Sequence, residues 1–236
     1  MMQDPFENPI ARLFTYKVKY DGGTAPNPDS GICTLALCKP AIRRSANKGD
    51  VVVGFGCKSN GDNEHRVVYC MIIDEALSWP EYIKAVARGD YKNRLPKRSS
   101  DTGDCIWKDT KEAHDPWPSH SQHDRSDYQS DVVDGRNVLI GKEFWYFGKG
   151  GSDKERGSLD IIIKSLPIVN RGHRSTSNFV KRKDFWEEFA EQLEKRWLTE
   201  PGKYGEPATP PSHSDDGNCR RCCSAQRTDD KYGEEP

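Results

Sequence analysis

No uninterrupted apolar run in this sequence exceeds seven residues, the longest being Val67 to Ile73. A membrane-spanning helix needs roughly 20 such residues, so no membrane partner is expected. Runs this short suit strands buried on both faces. Val51 to Cys57 and Arg66 to Asp74 read this way. Arg12 to Tyr20 alternates instead, as a half-buried strand does. Asn137 to Ile140 and Phe144 to Phe147 form two more around the turn residues Gly141-Lys142, and Leu159 to Lys164 adds another.

Helices are fewer. Ser78 with Glu81 has the form in which a cap hydroxyl and a third-position carboxylate satisfy free amides reciprocally, and Tyr82, Ile83 and Val86 then keep helical spacing to Gly89. Asp184 with Glu187 repeats the form before a stripe of Phe185, Phe189, Leu193 and Trp197. Strands first and a helix last indicate the α+β class, mostly antiparallel. The stretch from Asp90 to Asp134 is polar apart from Cys105-Ile106-Trp107, and a structureless loop that long is usually functional or mobile.

Beyond Leu198 there is no Val, Ile, Leu, Met, Phe or Trp. Such a segment buries too little apolar surface to offset its ordering entropy. The expected organisation is therefore a loose arm over 1–11, one domain over 12–199 and a disordered acidic tail over 200–236. The tail holds eight acids and five bases out of a net charge of -1 for the chain. Any hold on phosphate must then come from local clusters. Met1 to Arg12 carries acids and prolines rather than a basic stretch and an apolar one, so a cytoplasmic location and reduced cysteines are expected.

Several segments carry candidate chemistry. Asn27, flanked by Pro26 and Pro28, can present its amide to a ligand edge or close its own turn. Lys39, Arg43 and Arg44 suit phosphate contacts, or form a solvated face. Phe144-Trp145-Tyr146-Phe147 precedes Gly148-Lys149, and alternation either leaves two rings free to stack on a base with Lys149 near a phosphate or makes a sandwich-core strand ending in a flexible turn. Asp115 to Asp134 holds His120, His123, Asp124, Asp127, Asp131 and Asp134, residue types fit for acid-base work. Arg171, His173 and Arg174 sit in a glycine- and hydroxyl-rich segment that suits an anion or nucleic-acid contact, or a polar connection. His213, Cys219, Cys222 and Cys223 are a weak zinc set, because three thiols crowd into five residues. Cys33, Cys38, Cys57, Cys70 and Cys105 read as buried thiols. Neither nucleotide-binding glycine fingerprint is present, and local spacing supports no Ser-His-Asp or Cys-His arrangement.

Taken together, Tyr16-Lys17-Val18, Asp21-Gly22-Gly23, Ala25-Pro26-Asn27-Pro28, Gly31 to Ala36, Cys38-Lys39-Pro40, Ile42-Arg43-Arg44, Gly49-Asp50 and Val53-Gly54 resemble the second nucleotide modification associated domain family. Val68 to Met71, Gly103-Asp104, Val138 to Ile140 and Phe144 to Gly148 continue the likeness, which spans roughly residues 12 to 197. The resemblance implies phage or bacterial systems that make, or respond to, modified bases in DNA. It brings no settled catalytic set and no known cofactor. By analogy, the fold resembles a partly closed, PUA- or EVE-like β-barrel with a few flanking helices.

Two functional readings follow. In the first, the domain binds a modified base or nucleotide in DNA. A flipped base inserts among Tyr16, Trp145 or Tyr146, Asn27 reads its edge, and Lys39, Arg43, Arg44, Lys149, Arg171 and Arg174 hold phosphates. In the second, it is a transferase or hydrolase acting on the modification, with His120, His123, Asp124 or His173 as the acid-base group. An interaction subunit that recruits other proteins of a modification locus is a third.

Overall fold

The computed structural model describes residues 2–57, 63–98, 101–118, 123–149, 159–167 and 172–208. Two sheets stack face to face. The larger is built from β1 (Leu13–Lys17), β3 (Val51–Phe55), β4 (Val67–Ile72), β7 (Phe144–Tyr146), β8 (His173–Thr176) and β9 (Gly202–Lys203), in the order β8-β1-β3-β4-β7-β9. The smaller has β2 (Cys33–Leu35), β6 (Asn137–Gly141) and β5 (Glu75–Ser78), in the order β2-β6-β5. Pairing is antiparallel except between β1 and β3 and between β7 and β9.

The class is therefore α+β and mostly antiparallel, as expected, but the barrel is corrected. A barrel needs its edge strands to meet. Among the described residues, β8 and β9 remain the two edges of an open sheet, and the small sheet covers one face of it. Strand alternation sends Leu13, Val51, Val53, Trp145 and Phe147 to one side of the large sheet, against α3 (Phe179–Lys195) and Phe6. Phe14, Tyr16, Val52, Tyr69 and Tyr146 go to the other side, against Cys33, Leu35 and Leu139 of the small sheet. Both faces are core, which is why these strands read as continuous apolar runs. The far face of the small sheet packs Val138 and Ile140 on Trp79 and Tyr82 of α2 (Trp79–Arg88), with Ile106 and Trp107. Each such side chain contributes roughly 1.5–3 kcal/mol by burial.

The box at Ser78 and Glu81 starts α2 as expected, with Glu81 2.9 Å from the Ser78 backbone nitrogen. The one at Asp184 does not start a helix. Asn178 caps α3 by accepting from the Lys181 N–H at 3.0 Å, and Asp184 lies inside the helix. Trp197 falls past the helix end, is 92% exposed and has a left-handed φ of 59°, so it leaves the apolar stripe. Leu159 to Lys164 makes one isolated bridge, Arg66 to Ile162, rather than a strand. The ends are also more engaged than their polarity suggests. Phe6 is fully buried against Trp186. Beyond residue 200, β9 pairs with β7, Tyr204 stacks on Phe147, and the Ala208 N–H donates to the Asp21 carbonyl at 2.8 Å. Backbone pairing along an open sheet edge orders a segment that has almost no apolar side chains. No helix among the described residues is long and apolar enough to cross a membrane.

Candidate active site

The site begins where β2 turns into a short helix, α1 (Pro40–Ser45). Cys38 and Lys39, the two residues before the helical proline, both take left-handed φ angles, 57° and 43°. For residues with a β-carbon this costs roughly 1–2 kcal/mol each, so the surrounding structure must hold the turn. Asp131 and Arg43 do so. The Cys38 N–H donates to Asp131 Oδ1 at 2.9 Å, and Arg43 Nε donates to the Cys38 carbonyl at 2.7 Å. Arg43, fully buried, also donates to the Ala36 carbonyl and to the Asp131 carbonyl, the latter at 2.6 Å. Its guanidinium lies 4.0 Å from the Asp131 carboxylate. A β-carbon on Gly135 would overlap that guanidinium, so only glycine fits there.

Asp131 sits in a π-helical turn, Gln129–Asp134, with its carbonyl accepting from Trp79 Nε1 at 2.8 Å. This irregular turn aims the Asp131 carboxylate at His123, whose Nδ1 lies 2.8 Å from Asp131 Oδ2. The other ring nitrogen, Nε2, lies 3.7 Å from Cys38 Sγ. Thiol, imidazole and carboxylate are thus close neighbours, with one ring nitrogen near each. His123 and Asp131 are buried, whereas Cys38 is partly exposed.

Electrostatics supports a charged pair. Burial alone would lower the His123 pKa, but Asp131 and Cys38 outweigh it and hold the value well above the ordinary one. For Asp131, burial acts upward, and His123, Arg43 and the Cys38 N–H outweigh it and keep the carboxyl low. An imidazolium beside a thiol favours the nucleophilic thiolate. The geometry equips the site for nucleophilic attack with a proton carrier on hand.

Next to it lies a hydroxyl-rich interior. The Lys39 ammonium sits 5.0 Å above the Tyr16 ring, and the Tyr16 and Tyr69 hydroxyls are 2.9 Å apart. The Tyr146 hydroxyl is 2.8 Å from each oxygen of the buried Asp21. Burial raises the Asp21 pKa to about 6, against the pull of Tyr146 and Lys149.

Most residues expected to bind nucleic acid are buried or bonded within the fold. Tyr16, Trp145 and Tyr146 are core side chains, because both faces of their strands are covered and no ring of the Phe144–Phe147 run is left exposed. Asn27 is fully buried; its amide donates to the Thr102 carbonyl at 2.8 Å, and its Oδ1 accepts from the Asp29 N–H. Arg43 is fully buried and serves as the strut of the turn. Lys149 donates to the Val18 carbonyl at 3.2 Å. Arg44 is exposed and donates to the Asp134 carbonyl, and Arg174 lies on β8 opposite Thr15. Among the acid-base candidates, Asp124 caps a turn by accepting from the Ser126 N–H, and His173 lies on β8 opposite Tyr16. His120, Arg171, His213, Cys219, Cys222 and Cys223 lie outside the described residues.

His123 and Asp131 were legible within one His- and Asp-rich stretch, but Cys38 was not. Cys38, read as a buried thiol, is the partly exposed member of the set. The local signal that singles it out is a cysteine in a strand-to-helix turn just before a helical proline, the geometry that presents a nucleophile. A family model described as nucleotide modification associated domain 2 matches residues 10–209. No curated protein and no solved structure matches the chain.

Proposed function

The chain belongs to the nucleotide modification associated domain 2 family, and we propose that it is a thiol-dependent enzyme of nucleotide or DNA-base modification. The observation that carries this reading is the grouping of Cys38, His123 and Asp131, with contacts of 3.7 and 2.8 Å at a partly exposed cysteine. The family name supports the nucleotide side of the reading. Cys38 thiolate attacks an electrophilic carbon of the modified base or of the group it carries, forming a carbon–sulfur bond. His123 gives its proton to the leaving group. Water or an amine then displaces the sulfur, and the imidazole recovers a proton from that nucleophile. Asp131 keeps the ring oriented and stabilises the imidazolium before the first proton transfer and after the second. Substrates are the modified bases or nucleotides of a bacterial or phage modification or defence system.

The test incubates the full chain with DNA duplexes and free nucleotides carrying ordinary or hypermodified bases, followed by mass spectrometry of nucleosides and intact protein. A change in nucleoside mass that disappears in Cys38→Ser is expected. Selective binding with every nucleoside unchanged would overturn the enzyme and leave a modified-base reader. Absence of both would favour an interaction subunit.

A further inference from the structure

We infer that the cleft between the turn Asp29–Gly31 and the loop over residues 93–103 binds a sugar ring through two adjacent hydroxyls. It lies on the N-terminal side of β2, whereas Cys38 follows that strand, and it goes beyond the thiol reading without depending on it.

The cleft is a cavity of about 450 Å³, a size that suits a small organic ring. Its frame is held by the buried Arg94, which donates to the Asp29 carbonyl at 2.5 Å and to the Asn27 carbonyl at 3.1 Å. Gly103 lines it with no room for a side chain, because a β-carbon there would come within 2.7 Å of the Arg94 carbonyl and the Pro96 nitrogen.

Two lining side chains each have one polar atom tied into the fold and one left over. Asp29 Oδ2 accepts from the Thr102 hydroxyl at 2.9 Å, while Oδ1 has no hydrogen bond among the described residues. Lys203 stands 3.8 Å from that oxygen and donates instead to Glu206 at 2.7 Å. Asn93 Nδ2 donates to Ser30 Oγ at 2.8 Å, which leaves Oδ1 as an acceptor without a partner among the described residues. The N–H of Gly103, a buried residue, likewise donates to nothing among them. Asp101 adds charge to the wall and shapes it by accepting from the Lys97 and Arg98 N–H groups at 3.0 and 3.1 Å. Leu95, 54% exposed, supplies apolar surface.

These groups select among ligands. Two carboxylates stand against one lysine in the described wall, so a phosphate is repelled. A wholly apolar ligand would leave the Asp29 and Asn93 oxygens desolvated and unpaired. A sugar avoids both costs. Adjacent hydroxyls donate to those two oxygens, as ribose hydroxyls do to a carboxylate in dinucleotide sites, and the C–H face of the ring covers Leu95. A ring or hydroxyl oxygen accepts from the Gly103 N–H.

The full chain is titrated with methyl β-D-ribofuranoside and with methyl α-D-glucopyranoside, and binding is read by saturation-transfer NMR. The two probes separate a furanose, as in a nucleoside, from a pyranose, and the tighter one identifies the ring. A dissociation constant of about 1 mM is expected for at least one of them. Should the furanose bind, its 2-deoxy form, which has no adjacent hydroxyls, is expected to be about tenfold weaker. Asp29→Asn, at a partly exposed position, should weaken the bound glycoside about tenfold, and Leu95→Ser about threefold, both with wild-type thermal unfolding. Ribose 5-phosphate and glucose 6-phosphate should bind more weakly than the neutral glycosides, by a margin that narrows as salt is raised.

No saturation transfer to either glycoside at about 20 mM would overturn the sugar site. So would binding that Asp29→Asn and Leu95→Ser leave unchanged. Calcium chloride is the cation control. Calcium binding that is lost in Asp29→Asn, without transfer to either glycoside, would overturn the sugar and mark the cleft as a cation site. The thiol reading has its own readout, alkylation of Cys38 by iodoacetamide, and stands or falls separately.

Discussion

Two buried arginine–aspartate pairs sit in this domain, and they do different work. In one, Arg43 and Asp131 are 4.0 Å apart; in the other, Arg94 and Asp104 are 3.9 Å apart, and all four side chains are almost fully buried. Around Asp104 every neighbour is structural. Tyr82 donates to it at 2.5 Å, Thr34 donates as well, and Arg94 also donates to the carbonyls of Asn27, Asp29 and Ile32. The pair ties the 27–34 turn to α2 and to the segment around Asp104. Around Asp131 stand two residues whose side chains ordinarily ionise near neutral pH, His123 and Cys38, and Cys38 is partly exposed. The charges differ accordingly. Burial raises the Asp104 pKa despite Arg94, Thr34 and Tyr82, whereas at Asp131 the contributions of His123, Arg43 and the Cys38 N–H prevail over burial and lower it. A buried ion pair is thus no sign of a site by itself. The sign is a partner that can move a proton beside a group that can react.

Removing the arginines gives the largest expected effect. Arg94→Ala and Arg43→Ala each strand a buried carboxylate, and each should cost about 3–5 kcal/mol in denaturant unfolding. Any folded Arg94→Ala should keep wild-type alkylation of Cys38, while Arg43→Ala should lose it because the left-handed turn is no longer held. Equal effects on alkylation would erase the distinction between the pairs.

Tyr82→Phe removes a hydrogen bond to a charged acceptor and should cost about 1.5–3 kcal/mol, with no change in Cys38 reactivity. Asp131→Asn acts the other way. It should slow iodoacetamide labelling of Cys38 at neutral pH about tenfold, since the imidazolium loses its counter-charge. Asp104→Asn should leave that rate alone.

The pH dependence of stability sharpens the contrast further. The stabilisation tied to Asp131 is present above its unfolded pKa near 3.8 and is lost as pH falls through its lower native value. For His123 the contribution is full below about 6.5 and fades as pH rises through its raised native value. Asp104 has the opposite sign to Asp131. Its native pKa is raised, so stability should decline as pH rises from 3.8 through that value, and Asp104→Asn should flatten the decline in denaturation curves taken between pH 4 and 8. Asp21 should add a decline of the same sign between 3.8 and about 6.

Much of the frame was legible along the chain. The runs at Val51 and Val67 announced strands covered on both faces, and Ser78 with Glu81 marked the start of α2, because periodicity and caps are local properties. Local rules failed where neighbours came from afar. β9 has no apolar residue of its own and exists because β7 offers an edge. The residues expected to stack on bases, Tyr16, Trp145 and Tyr146, disappeared into a core whose second face depends on a sheet packed over them.

The functional site divides the same way. Sequence alone established the family likeness, the α+β class and a histidine- and aspartate-rich stretch worth suspecting. Only the tertiary structure placed His123 beside Cys38, 85 positions away. Asp131 lies 93 positions from the peptide it holds. A nucleophile and its base need proximity in space, and chain spacing carries no trace of a contact made by folding a polar loop back over a strand-to-helix turn.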